Sequence, residues 1–402
     1  MKKLVYYTLD GEFMQDIDLF EKSLLGKSVN SYTIPFTAHT GEAVFYIGGK
    51  DIDLDAVIRL ISGIAHYVHC TSQANPILII IKEANFDEKL LYILLECYLE
   101  HIIGTHNVPV RLIYDEKTNI TTKGLLSMPL QLLKDGTAAH RAKFLRKFNS
   151  EIYKGHYRRV FEPFNSKNLE SLSAAMTTID MFLRIKGVAP EVSNEVAEVA
   201  VELVGNAIEH TDSHCLVDID VADNYIKPTE NLSQQYYGVN ICVLNFSSIL
   251  LGTGIQKKMC CNPVLMSMPG QAPRYEMLRK AYMNHQHFFG DKYTEDDFFM
   301  LSAFQNKILG RQNDNLNGGT GLPRVIQSLE SRSDAHSCYV LSGKRVMKFQ
   351  KDYLQYNHNQ WIGMNNENDF IRHKPNDSVF RESPLDLPGT AYNLNFVLAK
   401  GE

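Results

Sequence analysis

The chain lacks any apolar run long enough for a secretory leader or a membrane span. Its opening, Met1-Lys2-Lys3, turns acidic by Asp10, so a cytoplasmic location without a membrane anchor is expected. It also lacks a Cys-x-x-Cys pair. Seven cysteines is an odd number, and only Cys260 and Cys261 are adjacent. That argues against a disulfide framework and for reduced thiols. No basic excess exists: 41 Lys and Arg against 46 Asp and Glu leave a net charge of −5, so nucleic acid is not an expected partner. What is present is ordinary for a globular protein. A chain of 402 residues, 44% hydrophobic and 22% charged, has material for two or three domains with large cores.

Residues 42–116 alternate strand and helix patterns. Glu42–Gly49 reads as a strand ending in glycines. The stretch from Asp53 places acids before an amphipathic run, as helix starts do. Pro76–Ile81 is a continuous apolar run, as in a strand covered on both faces. Asp87–Ile103 reads as a long helix and Val108–Tyr114 as a β-branched strand. This order argues for a small α/β layer. Ahead of it, strand-like pieces at Leu4–Thr8 and Ser31–Phe36 flank a helix-like Ile17–Leu25. His66, His69 and Cys70 share a helix face and could form half of a zinc site. No second half with matching spacing is visible, so a packed helix face is the expectation.

Residues 126–165 read as a helical connector. Ala138–Arg159 is basic, with Phe144, Leu145 and Phe148 on its apolar side, and a solvated face is preferred over an acidic partner or nucleic acid. His140 is followed by Arg141 rather than an acid, which argues against a phospho-accepting role.

Beyond Asn165-Ser166, a possible cap, apolar residues from Leu169 to Phe182 repeat at helical spacing, and Gly187 and Pro190 end that helix. The next one, about 191–211, buries Val199, Leu203 and Ala207 on one stripe. Glu202, Asn206 and His210 recur at i, i+4 and i+8 on a second stripe. An acid there could take a proton from water, and an amide oxygen could ligate Mg²⁺. A solvated polar face is the competing explanation, and spacing alone does not choose. Cys215–Ala222 and Tyr237–Phe246 read as strands of a half-covered antiparallel sheet. Asn245 closes the second, and Gly252-Thr253-Gly254 follows. Residues 249–317 form a long insert with helix-like pieces at about Tyr275–Gln286 and Glu295–Leu309. Its His285-x-His287 is weak evidence for metal. Gly318-Gly319-Thr320-Gly321-Leu322 is a glycine turn that can bring backbone N–H groups close to phosphate oxygens. Pro323 then suits the first turn of a helix whose positive end would face an anion. His336–Ser342 and Lys344–Phe349 read as two strands around a Ser342-Gly343 hairpin turn. Gly389-Thr390 opens a closing strand.

Glu202, Asn206-Ala207 and His210-Thr211 resemble the N box of the GHKL ATPases, in the style of anti-sigma-factor serine kinases. The turn at Gly319-Thr320-Gly321-Leu322 resembles that superfamily's GTGL phosphate motif, and Gly389-Thr390 its ending. The resemblance covers about residues 160–400. It implies a domain at 166–402 of the Bergerat type, helices over a mixed, mostly antiparallel sheet, with 249–317 as a lid over ATP. It implies Glu202 as proton acceptor and Asn206 as Mg²⁺ ligand, with His210 buttressing the site. Asn245 stands where the family has an Asp that accepts the adenine amino group, so charge assistance there is lost. Gly252, Gly254, Gly318, Gly319, Thr320, Gly321, Leu322, Arg324 and Thr390 complete the implied nucleotide site, with Arg324 equally suited to a surface salt bridge. Residues 1–125 resemble a STAS-type domain in pattern, although the turn Glu83–Asp87 has no hydroxyl to phosphorylate. Together these imply an α/β protein that binds ATP and Mg²⁺. It would be an ATPase or protein kinase switching a protein partner through its lid or N-terminal domain, with a homodimer open to it. A nucleotide-sensing module with little turnover is the alternative. An autophosphorylating histidine kinase would need a phospho-acceptor helix pair, which is not evident.

Overall fold

The computed structural model describes residues 12–26, 36–37, 41–48, 52–71, 75–82, 85–86, 88–114, 119–120, 128–163, 168–211, 213–225, 235–260, 272–306, 308, 321–333 and 338–400. The expected strand Leu4–Thr8, most of Ser31–Phe36, most of the turn Glu83–Asp87, and Gly318, Gly319 and Thr320 lie outside the described residues.

The protein is α/β. Its N-terminal unit consists of α1 (Glu12–Leu25), β1 (Glu42–Gly48), α2 (Leu54–Cys70), β2 (Ile77–Lys82), α3 (Lys89–Gly104) and β3 (Val110–Tyr114). The three strands are parallel in the order β1-β2-β3, and Phe36–Thr37 pairs antiparallel with β1. The Asp53 carboxylate accepts the Ala56 N–H at 2.8 Å and caps α2.

A helix α4 (Ala138–Phe148) leads into a hairpin of Ile152–Tyr153 and β4 (His156–Phe161). Helices α5 (Asn168–Ile185) and α6 (Pro190–His210) and strands β5 (Cys215–Tyr225) and β6 (Tyr236–Phe246) follow. Then come α7 (Thr253–Cys260), α8 (Ala272–His285), α9 (Glu295–Ser302), α10 (Gly321–Arg332), β7 (Tyr339–Lys348) and β8 (Phe380–Ala399). The larger sheet runs β7-β8-β6-β5-β4, with Ile152–Tyr153 at its edge, and every pairing is antiparallel.

The half-covered reading of this sheet is overturned, because both faces are buried. Val217, Ile219, Val221, Val239, Ile241 and Val243 join one core with residues of α5, α6 and α10. The alternate residues Leu216, Cys242, Leu244 and Phe246 join a second core with α1, α2 and α3. The N-terminal helices therefore fill the space between the two sheets. Conversely, the apolar run of β2 predicts cover on both faces, yet its outer side is partly open. Ile80 is half-buried there, and the neighbouring Tyr46 and Ile113 are 56% and 38% exposed.

Charged groups hold this contact together. Asp218 and Asp220 alternate with the apolar residues of β5 and point into the second core, where both are fully buried. The Lys89 ammonium, also buried, lies 2.5 Å from Asp218 Oδ1 and 2.6 Å from Asp220 Oδ2. Arg158 donates to Asp218 Oδ2 at 2.7 Å and to Glu96 Oε2 at 2.6 Å. Burial disfavours the Asp218 anion, but the Lys89 and Arg158 charges outweigh it and hold its pKa well below the usual carboxylate range. A lysine at the start of a helix opposes the helix dipole, so the aspartate pair is what places Lys89 there. The same helix end lacks a side-chain cap of its own. The Asn393 side chain of β8 supplies one, accepting the Leu90 N–H at 3.1 Å.

Other expectations change as well. The connector is not helical throughout: β4 belongs to the large sheet, and Arg158 is buried in it. The basic helix stops at Phe148, with Phe144, Leu145 and Phe148 buried as its apolar side implied. Ser342-Gly343 is not a hairpin turn. Strand β7 runs straight through it, and the register shift at Gly343, with φ +57°, marks a bulge against β8. The described part of the 249–317 insert is packed. Phe298 and Leu301 of α9 and Tyr275 and Leu278 of α8 are fully buried. His285 sits among them and is no metal ligand. Its Nδ1 lies 2.7 Å from the Tyr293 hydroxyl and its Nε2 2.7 Å from the Phe370 carbonyl.

Two outcomes follow from these buried groups. Lys89→Ala leaves two aspartates without their cation and should lower unfolding free energy by about 3–5 kcal/mol in denaturant titration; a loss below about 1 kcal/mol would contradict the role given to Lys89. Desolvation pushes the His285 pKa from 6.5 down to about 4. The unfolded chain then takes up a proton that the folded chain refuses as pH falls from 6.5 to about 4, so stability should decline across that window by up to about 1.4 kcal/mol per pH unit. A His285→Gln variant should show a shallower decline in the same titration.

Candidate functional site

A cavity of the C-terminal unit lies between the end of α6, the end of β6, α7 and the start of α10. It holds about 780 Å³ of empty space, its open mouth included. Its wall is mostly apolar. Leu203, Val243, Ile255 and Tyr392 are among its apolar lining.

Polar groups enter from four segments. Asn206 and His210 come from α6, Asn245 from β6, Lys258 from α7 and Thr390 from β8. The Asn206 amide nitrogen donates to the Glu202 carbonyl at 2.7 Å. Its Oδ1 accepts no hydrogen bond among the described residues and remains available to a cation or a donor. His210 stands at the rim, exposed on its outer side. Crowding on its inner side and the Lys258 charge push its pKa down, so the ring is neutral at pH 7.

The cavity floor is an interlocked pair of strands. Asn245 and Thr390 are direct partners in the β6–β8 register. The buried Asn245 amide oxygen accepts the Thr390 N–H at 3.2 Å, and its nitrogen donates to Thr211 and Ser213 hydroxyls at 3.3 and 3.1 Å. Asn245 is thus not the open acceptor that its position alone implied. One lone pair of its oxygen is already engaged. Gly389 permits this approach: with φ +115°, a Cβ there would lie 2.2 Å from the Asn245 carbonyl oxygen. Gly252 is similarly constrained, at φ +92° and with a Cβ only 2.5 Å from the Phe299 backbone. Gly254 lines the cavity within α7, and no atom lies within 4 Å of where its Cβ would be.

The remaining expected residues divide. Leu322 lines the cavity, which places the N-terminal end of α10, begun by Gly321, beside it. Gly318, Gly319 and Thr320 are outside the described residues. Glu202 is one turn from Asn206 and half-buried, but it does not line the cavity. Arg324 does not reach it either. Its guanidinium is half-exposed and pairs with Glu198 at 3.5 Å, the surface salt bridge that was the other expectation for it. Sequence reasoning missed Lys258 and Tyr392. Lys258 follows Gly254 by four residues on the same helix, a spacing that was legible once α7 was known to be helical. Set against protein-family models, curated proteins and solved structures, the chain matches none.

Gly389→Ala should force the β6–β8 junction apart and cost about 1–3 kcal/mol. Thermal melting should show the loss, and the amide signal of Thr390 in an NMR spectrum should shift as its bond to Asn245 breaks. An unchanged melt would refute the close approach.

Proposed function

We propose that this cavity binds ATP with Mg²⁺, and that the chain is an ATPase or protein kinase of the GHKL type, acting as a regulatory switch in the cytoplasm. The observation that carries this reading is the convergence of Asn206, Asn245, Gly252, Leu322 and Thr390, distant in sequence, on one cavity. A helix end beside the mouth favours phosphate, and the apolar lining favours a base. Asn206 fits a magnesium site because its amide oxygen is uncommitted, and the ion would supply neutralisation of phosphate charge there. Glu202 would accept the proton from water or from a partner's hydroxyl. Thr390 and the second lone pair of Asn245 would meet the base edge. The N-terminal unit, read as STAS-like, and the 249–317 insert, read as the lid, would face a protein partner, and a homodimer remains compatible. No helix among the described residues is long and apolar enough to cross a membrane.

A second reading is a nucleotide-sensing module with little turnover. It is favoured by Glu202 standing outside the cavity lining and by the engaged amide of Asn245.

Calorimetry with ATP and Mg²⁺, paired with a phosphate-release assay, separates the two. The first reading expects binding and turnover. It also expects Asn206→Ala to weaken ATP–Mg²⁺ binding at least about tenfold, a loss of 1.4 kcal/mol. Glu202→Gln should retain binding and slow phosphate release by about 10²–10⁴. Binding without release or transfer to any hydroxyl would favour the sensor, and no binding would reject both.

A further inference from the structure

Three helices of the N-terminal unit bring metal-ligating side chains to one point, far from the nucleotide cavity in residue content. Helix α1 supplies Glu21, the last turns of α2 and α3 supply His69 and His101, and the turn after α3 supplies His106. The Nε2 atoms of His69, His101 and His106 lie 3.0, 3.3 and 3.4 Å from the same oxygen, Glu21 Oε2. The ligand atoms of Glu21, His101 and His106 all lie within 4.8 Å of one another. Donors bound to zinc at about 2.0–2.1 Å in a tetrahedron are about 3.3 Å apart, which the three distances from Glu21 Oε2 match, while His69 stands outside the mutually close group.

Hydrogen bonding alone does not account for the cluster. One carboxylate oxygen faces three imidazole nitrogens, while the other oxygen of Glu21 accepts the Tyr98 hydroxyl at 3.0 Å. The His106 Nε2 is shielded from solvent and has no well-formed hydrogen bond, only its 3.4 Å approach to Glu21 Oε2, a geometry that an ion or water would complete. The outer contacts are those of a ligand set. His101 Nδ1 lies 3.4 Å from the Thr105 hydroxyl, which leaves Nε2 for the centre, and Tyr98 steadies the carboxylate. The other close grouping, His156 with Asp218 and Asp220, is different in kind. The Lys89 ammonium already bridges its two aspartates, whereas among the described residues no lysine or arginine pairs with Glu21. Asp18, 52% exposed with Oδ1 3.7 Å from His101 Nε2, and the part-exposed His69 give an ion a way in.

We propose that Glu21, His101 and His106 bind one divalent transition-metal ion, zinc being the best match to imidazoles with a carboxylate, and that His69, whose Nε2 meets the same Glu21 oxygen, turns in to complete the set. The ion ties α1 to α2 and α3, the layer that the large sheet packs upon. It is a structural staple and takes no part in phosphate chemistry.

The test uses full-length protein stripped with a chelator and reloaded with Zn²⁺ or Co²⁺. Elemental analysis after gel filtration should find one ion per chain, and Co²⁺ should give the intense visible absorption of a tetrahedral site. His106→Ala is the decisive variant, since His106 lies in a turn and its one close polar contact is the 3.4 Å approach to Glu21, so circular dichroism should stay native. It should bind at least tenfold more weakly, and His101→Ala likewise. His358→Ala, remote and exposed, should bind as wild type. Three results would overturn the site: no retained ion in the wild-type chain, unchanged binding in His101→Ala and His106→Ala, or a weak octahedral Co²⁺ spectrum.

Discussion

Two aspartates in the middle of a sheet need a cation, and that need arranges the molecule. Asp218 and Asp220 sit at alternate positions of β5, so they share a face, and that face is apolar around them. Left without a partner they would cost several kcal/mol each. Lys89 answers both, and it stands at the first turn of α3. Docking α3 with its amino end on the sheet carries α1 and α2 with it. Three layers of contact follow: the ion cluster, the Asn393 cap on α3, and the stacked rings of Phe20 and Phe246, 5.0 Å apart. The N-terminal unit is therefore the cover for the back of the C-terminal sheet.

The front of that sheet owes its cavity to a different constraint. Strands β6 and β8 are held close where Gly389 lies against Asn245, and the chain leaves β6 immediately afterwards. The carboxamide and the Thr390 N–H lock the floor, and α6 ends above it with Asn206 and His210. Wall rigidity comes from packing of α6 against α5 and α10, where Ser328 and Arg332 both bond the Glu195 carboxylate. A preformed cavity of this sort spends little ordering free energy on binding a ligand.

How much of this the residues disclosed depends on whether the signal was local. Periodicity exposed α2, α3, α5 and α6 and the strands between them, because each is a run of correct length with one apolar stripe. It located the stripe of Asn206 and His210 for the same reason. Cover was misjudged for β2 and β5 alike. The pattern along one strand reports polarity, and Asp218 and Asp220 look solvent-facing until Lys89, more than a hundred residues earlier, is brought to them. The bulge at Gly343 resembled a turn because both need a positive φ at glycine. The histidines followed the same rule. His66, His69 and Cys70 shared a helix face that was expected to be packed, and the neighbours of His69 came from other helices, at spacings no linear pattern encodes. Arg324 was near the right motif but on the outward side of α10, a matter of helical phase.

Strand β6 has two neighbours that never meet. Asn245 looks forward into the cavity, and Phe246, the next residue, looks back onto the ring of Phe20, itself adjacent in sequence to Glu21. One planar peptide unit joins the two residues, so the cavity floor and the seat of α1 are built on the same stretch of β6.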